Sequence, residues 1–423
     1  MADSRPLVVE APALLATDLQ WEAFWHRLGR DPLGALTGRG AARVPPLRAD
    51  LLPIRPDGAA AVAAARRQGR AVHLAAPREG LPLAEVAEAQ GLDARAVAAR
   101  GRQGLVRSLA ATFGAGAYEV LPAPARTWSA SALIRALRPH QYVKNVLLFL
   151  PMIAAHAFDL ATATWVVLGI VAFSAAASSI YVVNDLLDLE ADRLHPTKRH
   201  RPFASGAVPI RVGMVAAAAL ALASLALGLW IGGDFALVLC GYMALSLAYS
   251  LRLKRMRWVD VFTLAALYTL RVVAGAAAGG VEASIFMLVF VFPVFLVLGI
   301  VKRLTELAKA EGTAPLPGRG YGRGDRDDLL NMAGLGTAGA LVIFWLYIRS
   351  EQAAVLYPTE WILWLALLPI AVWLMRMIAL GYYGRMDYDP IVFALRDRLG
   401  VGLLLIILSL MFYSAGLWAE WFG

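Results

Sequence analysis

A polytopic membrane bundle of α-helices, preceded by a small α/β domain, is the fold class that the sequence predicts, and three observations predict it. The 423 residues are 59% hydrophobic with a mean hydropathy of +0.60, too apolar for an ordinary soluble chain. The apolarity is concentrated after about residue 140, in runs of about 20 residues, the length that crosses a bilayer core. Charges fall between these runs and alternate from one connection to the next.

About nine apolar spans can be drawn, near 145–157, 163–186, 210–231, 234–252, 259–280, 284–301, 331–349, 359–380 and 400–419. The connection 187–211 holds Arg193, Lys198, Arg199, Arg201 and Arg211, whereas those near Asp159, Asp234 and Glu282 hold no Lys or Arg. Residues 252–257, 302–326 and 381–398 are again basic. The positive-inside rule then places the N-terminus in the cytoplasm, the C-terminus outside, and the polar chemistry on the cytoplasmic face of an inner membrane. It also absorbs the net charge of +9, so no nucleic-acid partner is expected. The opening MADSRPLVVEAP lacks the basic and apolar regions of a secretory signal.

Residues 1–125 alternate short apolar runs (PLVVEAP, AVHLAAP) with alanine-rich stretches of helical period, which suggests a cytoplasmic α/β domain with a parallel sheet. Residues 126–137 read as a linker and 138–423 as the membrane domain. The single cysteine, Cys240, lies in an apolar run, so no disulfide forms within the chain and no cysteine metal site is expected. Five of the 40 basic residues are lysines: Lys144, Lys198, Lys254, Lys302 and Lys309. A compact point charge retained in so arginine-rich a chain marks sites that need one, with chance as the alternative.

The strongest constellation is Asn184-Asp185-Leu186-Leu187-Asp188-Leu189-Glu190-Ala191-Asp192-Arg193, at the end of the second span. On one continuous helix Asp185, Asp188 and Asp192 fall within roughly 60° of one another, with Asn184 at the edge and Glu190 on the opposite side. Three carboxylates on one face at a membrane boundary suit Mg²⁺, which shares carboxylates with substrate phosphates. A polar helix end reaching into water is the alternative, but like charges so placed repel unless a cation or a basic partner compensates.

The next residues, His195 to Gly206, add Lys198 and Arg201 beside the carboxylates, as a polyphosphate with its metal requires; topology alone explains some of this charge. Before the first span Arg138, Gln141, Lys144 and Asn145 recur at helical spacings, as phosphate donors or as surface anchors. Tyr249, Lys254, Asp260 and Arg271 follow around the fourth and fifth spans, where ionisable groups are functional candidates against a capping or pairing role. Lys302 and Arg303, with Glu306, end span six in similar fashion. The glycine-rich stretch from Gly318 to Asp325 reads as a cytoplasmic loop rather than a phosphate cradle, and the histidines show no zinc spacing.

Over roughly residues 135–420 these motifs resemble the UbiA superfamily of intramembrane transferases, whose first aspartate motif matches Asn184 to Asp192. NDLLDLEADRLHPTKRHRPFASG, RPHQYVKN, YSLRLK with Asp260 and Arg271, and KRLTEL resemble the decaprenyl-phosphate phosphoribosyltransferase branch. The resemblance implies a 5-phosphoribosyl 1-diphosphate donor, a polyprenyl phosphate acceptor and Mg²⁺ as cofactor. It implies Mg²⁺ ligation by Asp185, Asp188 and Asp192, with Lys198 completing the catalytic set. It further implies substrate contacts from Arg138, Gln141, Lys144, Asn145, Asn184, Arg201, Tyr249, Lys254, Asp260, Arg271, Lys302, Arg303 and Glu306. Leu264 stands where aromatic prenyltransferases of the superfamily carry a second aspartate four residues after the first, here Asp260. The N-terminal part resembles a haloacid-dehalogenase-like domain, but Glu10-Ala11-Pro12 replaces its Asp-x-Asp and residues 1–143 contain no lysine, so a degenerate domain is expected. Rival readings are prenyl transfer to a small or aromatic acceptor, and a non-enzymatic membrane scaffold; a homo-oligomer is compatible with all of them.

Overall fold

The computed structural model describes residues 5–37, 44–125, 127–310, 316, 319–386 and 389–422. Gly318 of the glycine-rich loop lies outside the described residues. The chain forms two compact units, one of residues 1–139 with 178–219 and the other of 140–177 with 220–423.

The first unit contains a parallel sheet of β1 (Leu7–Glu10), β2 (Val72–Ala76), β3 (Asp93–Ala98) and β4 (Glu119–Leu121), in the order β3-β2-β1-β4. Leu7 pairs with Val72 on one side and with Glu119 on the other. Every residue of β1 and β2 is buried, which is why PLVVEAP and AVHLAAP are near-continuous apolar runs rather than alternating ones. The expected small α/β domain is therefore present. Helix α1 (Leu19–Arg30) starts on Asp18, whose side chain accepts from the Gln20 amide at 3.1 Å, and ends with Arg27 and Arg30 against its negative pole. Helix α2 (Ala130–Leu137), capped by Ser129, lies within the stretch read as a linker.

Helix α3 (Leu160–Leu187) belongs to both units, and α4 (Leu189–Leu194) to the first. In the first unit Trp25, Ala132 and Ala136 pack with Val182, Leu186, Leu189, Phe203 and Val208 in one apolar cluster. The longer helices that follow are α5 (Ile210–Ile231), α6 (Gly233–Leu251), α7 (Val259–Gly279), α8 (Ile285–Lys309), α9 (Arg326–Ile348) and α10 (Leu367–Tyr382). Among the described residues seven helical stretches are long and apolar enough to cross a membrane, with Arg398–Ser414 as a shorter apolar helix.

The stretch 145–157, expected as a span, is not a membrane-length α-helix. It is a 3₁₀ helix, Pro139–Phe149, continued by Leu150–Ala154. With a rise of about 2.0 Å per residue in the 3₁₀ part, the two together extend about 30 Å, close to a hydrocarbon core. In the second unit this run lies antiparallel to α3: the Asn145 amide donates to Ser174 Oγ at 2.8 Å, and Leu148 approaches Gly169. The core of this unit is built around α8, where Val261, Val297 and Val301 meet Gly299, Gly336 and Gly381, small residues that let helices approach closely.

Candidate active site

The aspartate motif lies in the first unit. Its helix is not continuous as the spacing predicts: α3 stops at Leu187, and Asp188, at φ −102° and ψ 11°, stands at the N-terminal boundary of α4 without a side-chain capping bond. Backbone bonds still bridge the break, from the Asp188 amide to Asn184 at 3.0 Å and from the Asp192 amide to Asp188 at 2.8 Å. The carboxylates are instead gathered by arginines. Arg201 donates to Asp192 at 2.7 Å and to Asp185 at 3.2 Å, and Arg138 donates to the same Oδ1 of Asp185. Arg138 turns toward Asp185 from a left-handed backbone at the end of α2, φ 56°. Glu190 faces α1, accepting from Arg30 at 2.7 Å beside His26. Lys198 stands exposed on the short turn Lys198–His200.

Asp185 and Asp192 are 2% and 3% exposed, so their charge requires compensation, which Arg138 and Arg201 supply. Burial pushes the Asp192 carboxyl above its ordinary range, Arg201 and Lys198 oppose this, and Asp188 reinforces it. Asp185 Oδ2 is buried with no hydrogen-bond partner. An orphaned carboxylate oxygen beside two further aspartates is a donor set of the kind Mg²⁺ takes. Among the described residues, no three His, Cys, Asp or Glu side chains converge in ligating geometry, and Arg201 bridges Asp185 and Asp192.

A second polar centre lies in the second unit. Arg303, fully buried on α8, donates from Nε to Asp260 Oδ2 at 2.5 Å, from Nη2 to Tyr249 at 3.0 Å, and from Nη1 to Glu306. Tyr249 donates to Asp260 at 2.8 Å, and Arg319 reaches both, at 3.0 and 3.3 Å. Asp260 is thus the acceptor of a buried network rather than a helix cap. Lys254 is buried nearby in sequence, on the turn Leu253–Arg255.

Lys144 pairs with Asp389, whose carboxylate also caps the helix Pro390–Ala394. Burial alone would raise the Asp389 carboxyl, but Lys144 and Lys302 hold it below its ordinary value. Arg271 donates to Leu267 O at 2.7 Å, Tyr242 at 3.1 Å and Asn145 at 3.2 Å, with its guanidinium over the Tyr242 and Phe173 rings. Arg138, Gln141, Lys144 and Asn145 therefore do not form one face. Arg138 serves Asp185, Lys144 serves Asp389, Asn145 joins Ser174 and Arg271, and Gln141 is half-buried. The left-handed turn at Arg138 takes that residue out of register, and in the 3₁₀ helix, with its period of three, Gln141 and Lys144 share a row that Asn145 leaves. Sequence reasoning missed Asp389, although an aspartate before a proline is a helix-start signal, and it gave no role to Arg319 in its glycine-rich loop.

One buried carboxylate–arginine centre thus lies at the end of a membrane-length helix and a second lies among such helices, as in a helical membrane protein with polar centres. The model described as the UbiA prenyltransferase family matches residues 146–396, and the chain belongs to that family. It is 36% identical over 279 residues to an uncharacterised protein of Sinorhizobium fredii, covering 65% of this chain and 53% of that one. The chain thus spans about half the length of that relative. It is 33% identical over 276 residues to the decaprenyl-phosphate phosphoribosyltransferase of Mycobacterium tuberculosis, covering 63% of this chain and 89% of that protein. Its fold is similar to a UbiA homologue from Archaeoglobus fulgidus solved with GPP and Mg²⁺, with a TM-score of 0.51 at 18% identity over 67% of this chain and 99% of that one.

Proposed function

We propose that this chain transfers the 5-phosphoribosyl group of 5-phosphoribosyl 1-diphosphate to a polyprenyl phosphate, releasing diphosphate. The observation that carries the reading is the buried Asp185, flanked by Arg138 and Arg201 and keeping one oxygen without a partner. Its support is the likeness to the M. tuberculosis enzyme. Asp185, Asp188 and Asp192 would hold Mg²⁺, which neutralises the charge developing on a leaving diphosphate. The Archaeoglobus homologue, solved with Mg²⁺, suggests the same ion. Arg201 and Lys198 supply fixed positive charge to that leaving group, and Asn184 orients it. Lys144 or Arg271 would serve the acceptor phosphate, and Tyr249, Asp260, Arg303 and Glu306 form the buried second centre. That phosphate is already an anion near neutral pH, so no side chain needs to act as general base.

We read the protein as a nine-span inner-membrane enzyme with its N-terminus and site in the cytoplasm, the 3₁₀ run and Arg398–Ser414 being the first and last spans. Residues 1–125 are read as a degenerate haloacid-dehalogenase-like domain. Prenyl transfer from a prenyl diphosphate is the second reading, favoured by the family's description. Purified chain given labelled phosphoribosyl diphosphate, Mg²⁺ and polyprenyl phosphates should yield labelled lipid. Labelled product from prenyl diphosphate without the phosphoribosyl donor would overturn the proposal. Asp185→Asn should cost at least about 100-fold, as loss of a preorganised electrostatic group does. Glu190→Gln, which removes a partly exposed pair, should retain most activity.

A further inference from the structure

We propose that the N-terminal domain is a positioning element of the aspartate centre and that Glu22 is its positioning residue. This rests on the reading of Asp185, Asp188 and Asp192 as metal ligands. The N-terminal sheet, α1, α4 and the basic loop belong to one compact unit. Helix α4 has six residues, too few to hold a helix alone, so its backbone bonds to α3 and its tertiary contacts together fix it.

Arg193 supplies one of these tertiary contacts. Its Nη atoms grip both oxygens of Glu22 on α1, at 2.5 and 3.1 Å, and its Nε donates to Ala204 O at 3.0 Å. One side chain thereby ties together α1, α4 and the far end of the basic loop. The pair is 7% and 2% exposed, which protects it from solvent screening. Thr17 fixes the carboxylate from behind, donating to Glu22 Oε1 at 2.6 Å. The N-terminal backbone also presses on the loop: Gly206, at φ +77°, has no room for a Cβ, which would lie 2.7 Å from Ala16 O. Asp192 immediately precedes Arg193 and takes its charge partner, Arg201, from the same loop. The fork on Glu22 thus sets where α4 presents Asp192 and how the loop returns Arg201 to it.

Glu22 then acts on the ligands as an outer-shell partner, whose removal typically weakens metal binding about 10- to 100-fold. The test uses full-length protein in detergent, with Mn²⁺ as spectroscopic probe and no substrate. Glu22→Gln should weaken Mn²⁺ binding about 10-fold or more, and amide exchange over 189–206 should rise. Glu22→Asp, which keeps the charge, should recover most of both. Thr17→Val, which leaves the pair but loosens it, should shift both in the same direction by less, and it decides the matter should Glu22→Gln not fold. Asp185→Asn is the control. Loss of Mn²⁺ there, with Glu22→Gln and Thr17→Val binding as tightly as the parent, overturns the positioning role alone. Unchanged binding in Asp185→Asn overturns the metal reading and this inference with it.

Discussion

Replacing Asp260 by asparagine should leave Arg303 buried with part of its counter-charge removed. Both side chains are 0% exposed and share two direct bonds, so solvent cannot substitute for the lost carboxylate. Breaking such a pair costs about 3–5 kcal/mol. Arg303 keeps Glu306 and Tyr249, which places Asp260→Asn at the low end, about 3 kcal/mol, or roughly two decades in the folding equilibrium. Arg303→Met should cost a similar amount, because Asp260 keeps Tyr249 and Arg319. The double variant removes both charges and should be milder than the sum, with a coupling of about 2–3 kcal/mol. Equilibrium unfolding in mixed micelles, followed by tryptophan fluorescence, measures all four corners of the cycle. A coupling below about 0.5 kcal/mol, the level of independent sites, would refute the network.

The Asp389 carboxyl, held below its ordinary value of 3.8, contributes stability that is present above that value and lost as pH falls through the lower folded one. Thermal midpoints of Asp389→Asn should therefore vary less than the parent's with pH in the strongly acidic range. Gly275→Ala drives a Cβ into the Leu148 carbonyl and should cost about 1–3 kcal/mol, whereas Gly241→Ala, which meets nothing within 4 Å, should be neutral or stabilising in the same melts. The full chain carrying Asp185→Asn should release no phosphate from a generic phosphomonoester with Mg²⁺. On the haloacid-dehalogenase-like reading, Glu10, bonded to the Ala123 amide at 2.8 Å with Arg102 at 3.8 Å, replaces the first of the paired aspartates that the hydrolysis would need. Reporter fusions after Asp234 and after Lys309 should lie on opposite sides of the membrane, and the same side for both would sink the proposed topology.

The sheet and the long helices were legible because they rest on burial, which composition records directly: unbroken apolar strands where both faces are covered, and 20-residue runs where lipid is the solvent. The break at Asp188 was not, since Leu187-Asp188-Leu189 contains neither proline nor glycine, and the boundary depends on where α1 and the basic loop hold α4. The 3₁₀ run was illegible for a related reason. Its sequence has an α-helix's composition, and the choice of period is made by neighbours such as Ser174 and Gly275. Identifying Asp185 and Asp192 needed only spacing. The arginines between them needed tertiary structure.

That last contrast organises the charge of the whole chain. Each of the buried carboxylates Glu10, Glu22, Asp185, Asp192 and Asp260 has an arginine partner. A planar, permanently charged fork can satisfy both oxygens of a desolvated carboxylate, which explains why arginine dominates here as a structural cation. The lysines behave differently. Lys144 and Lys302 converge on one half-buried carboxylate, Asp389, and Lys198 is exposed beside Asp192. A rotatable ammonium loses less when it exchanges one oxygen for another than a two-pronged guanidinium does. On the proposed function, the arginines hold the two centres in shape, Arg201 and Arg271 also facing phosphate, and Lys144 and Lys198 are cations that an incoming phosphate can recruit.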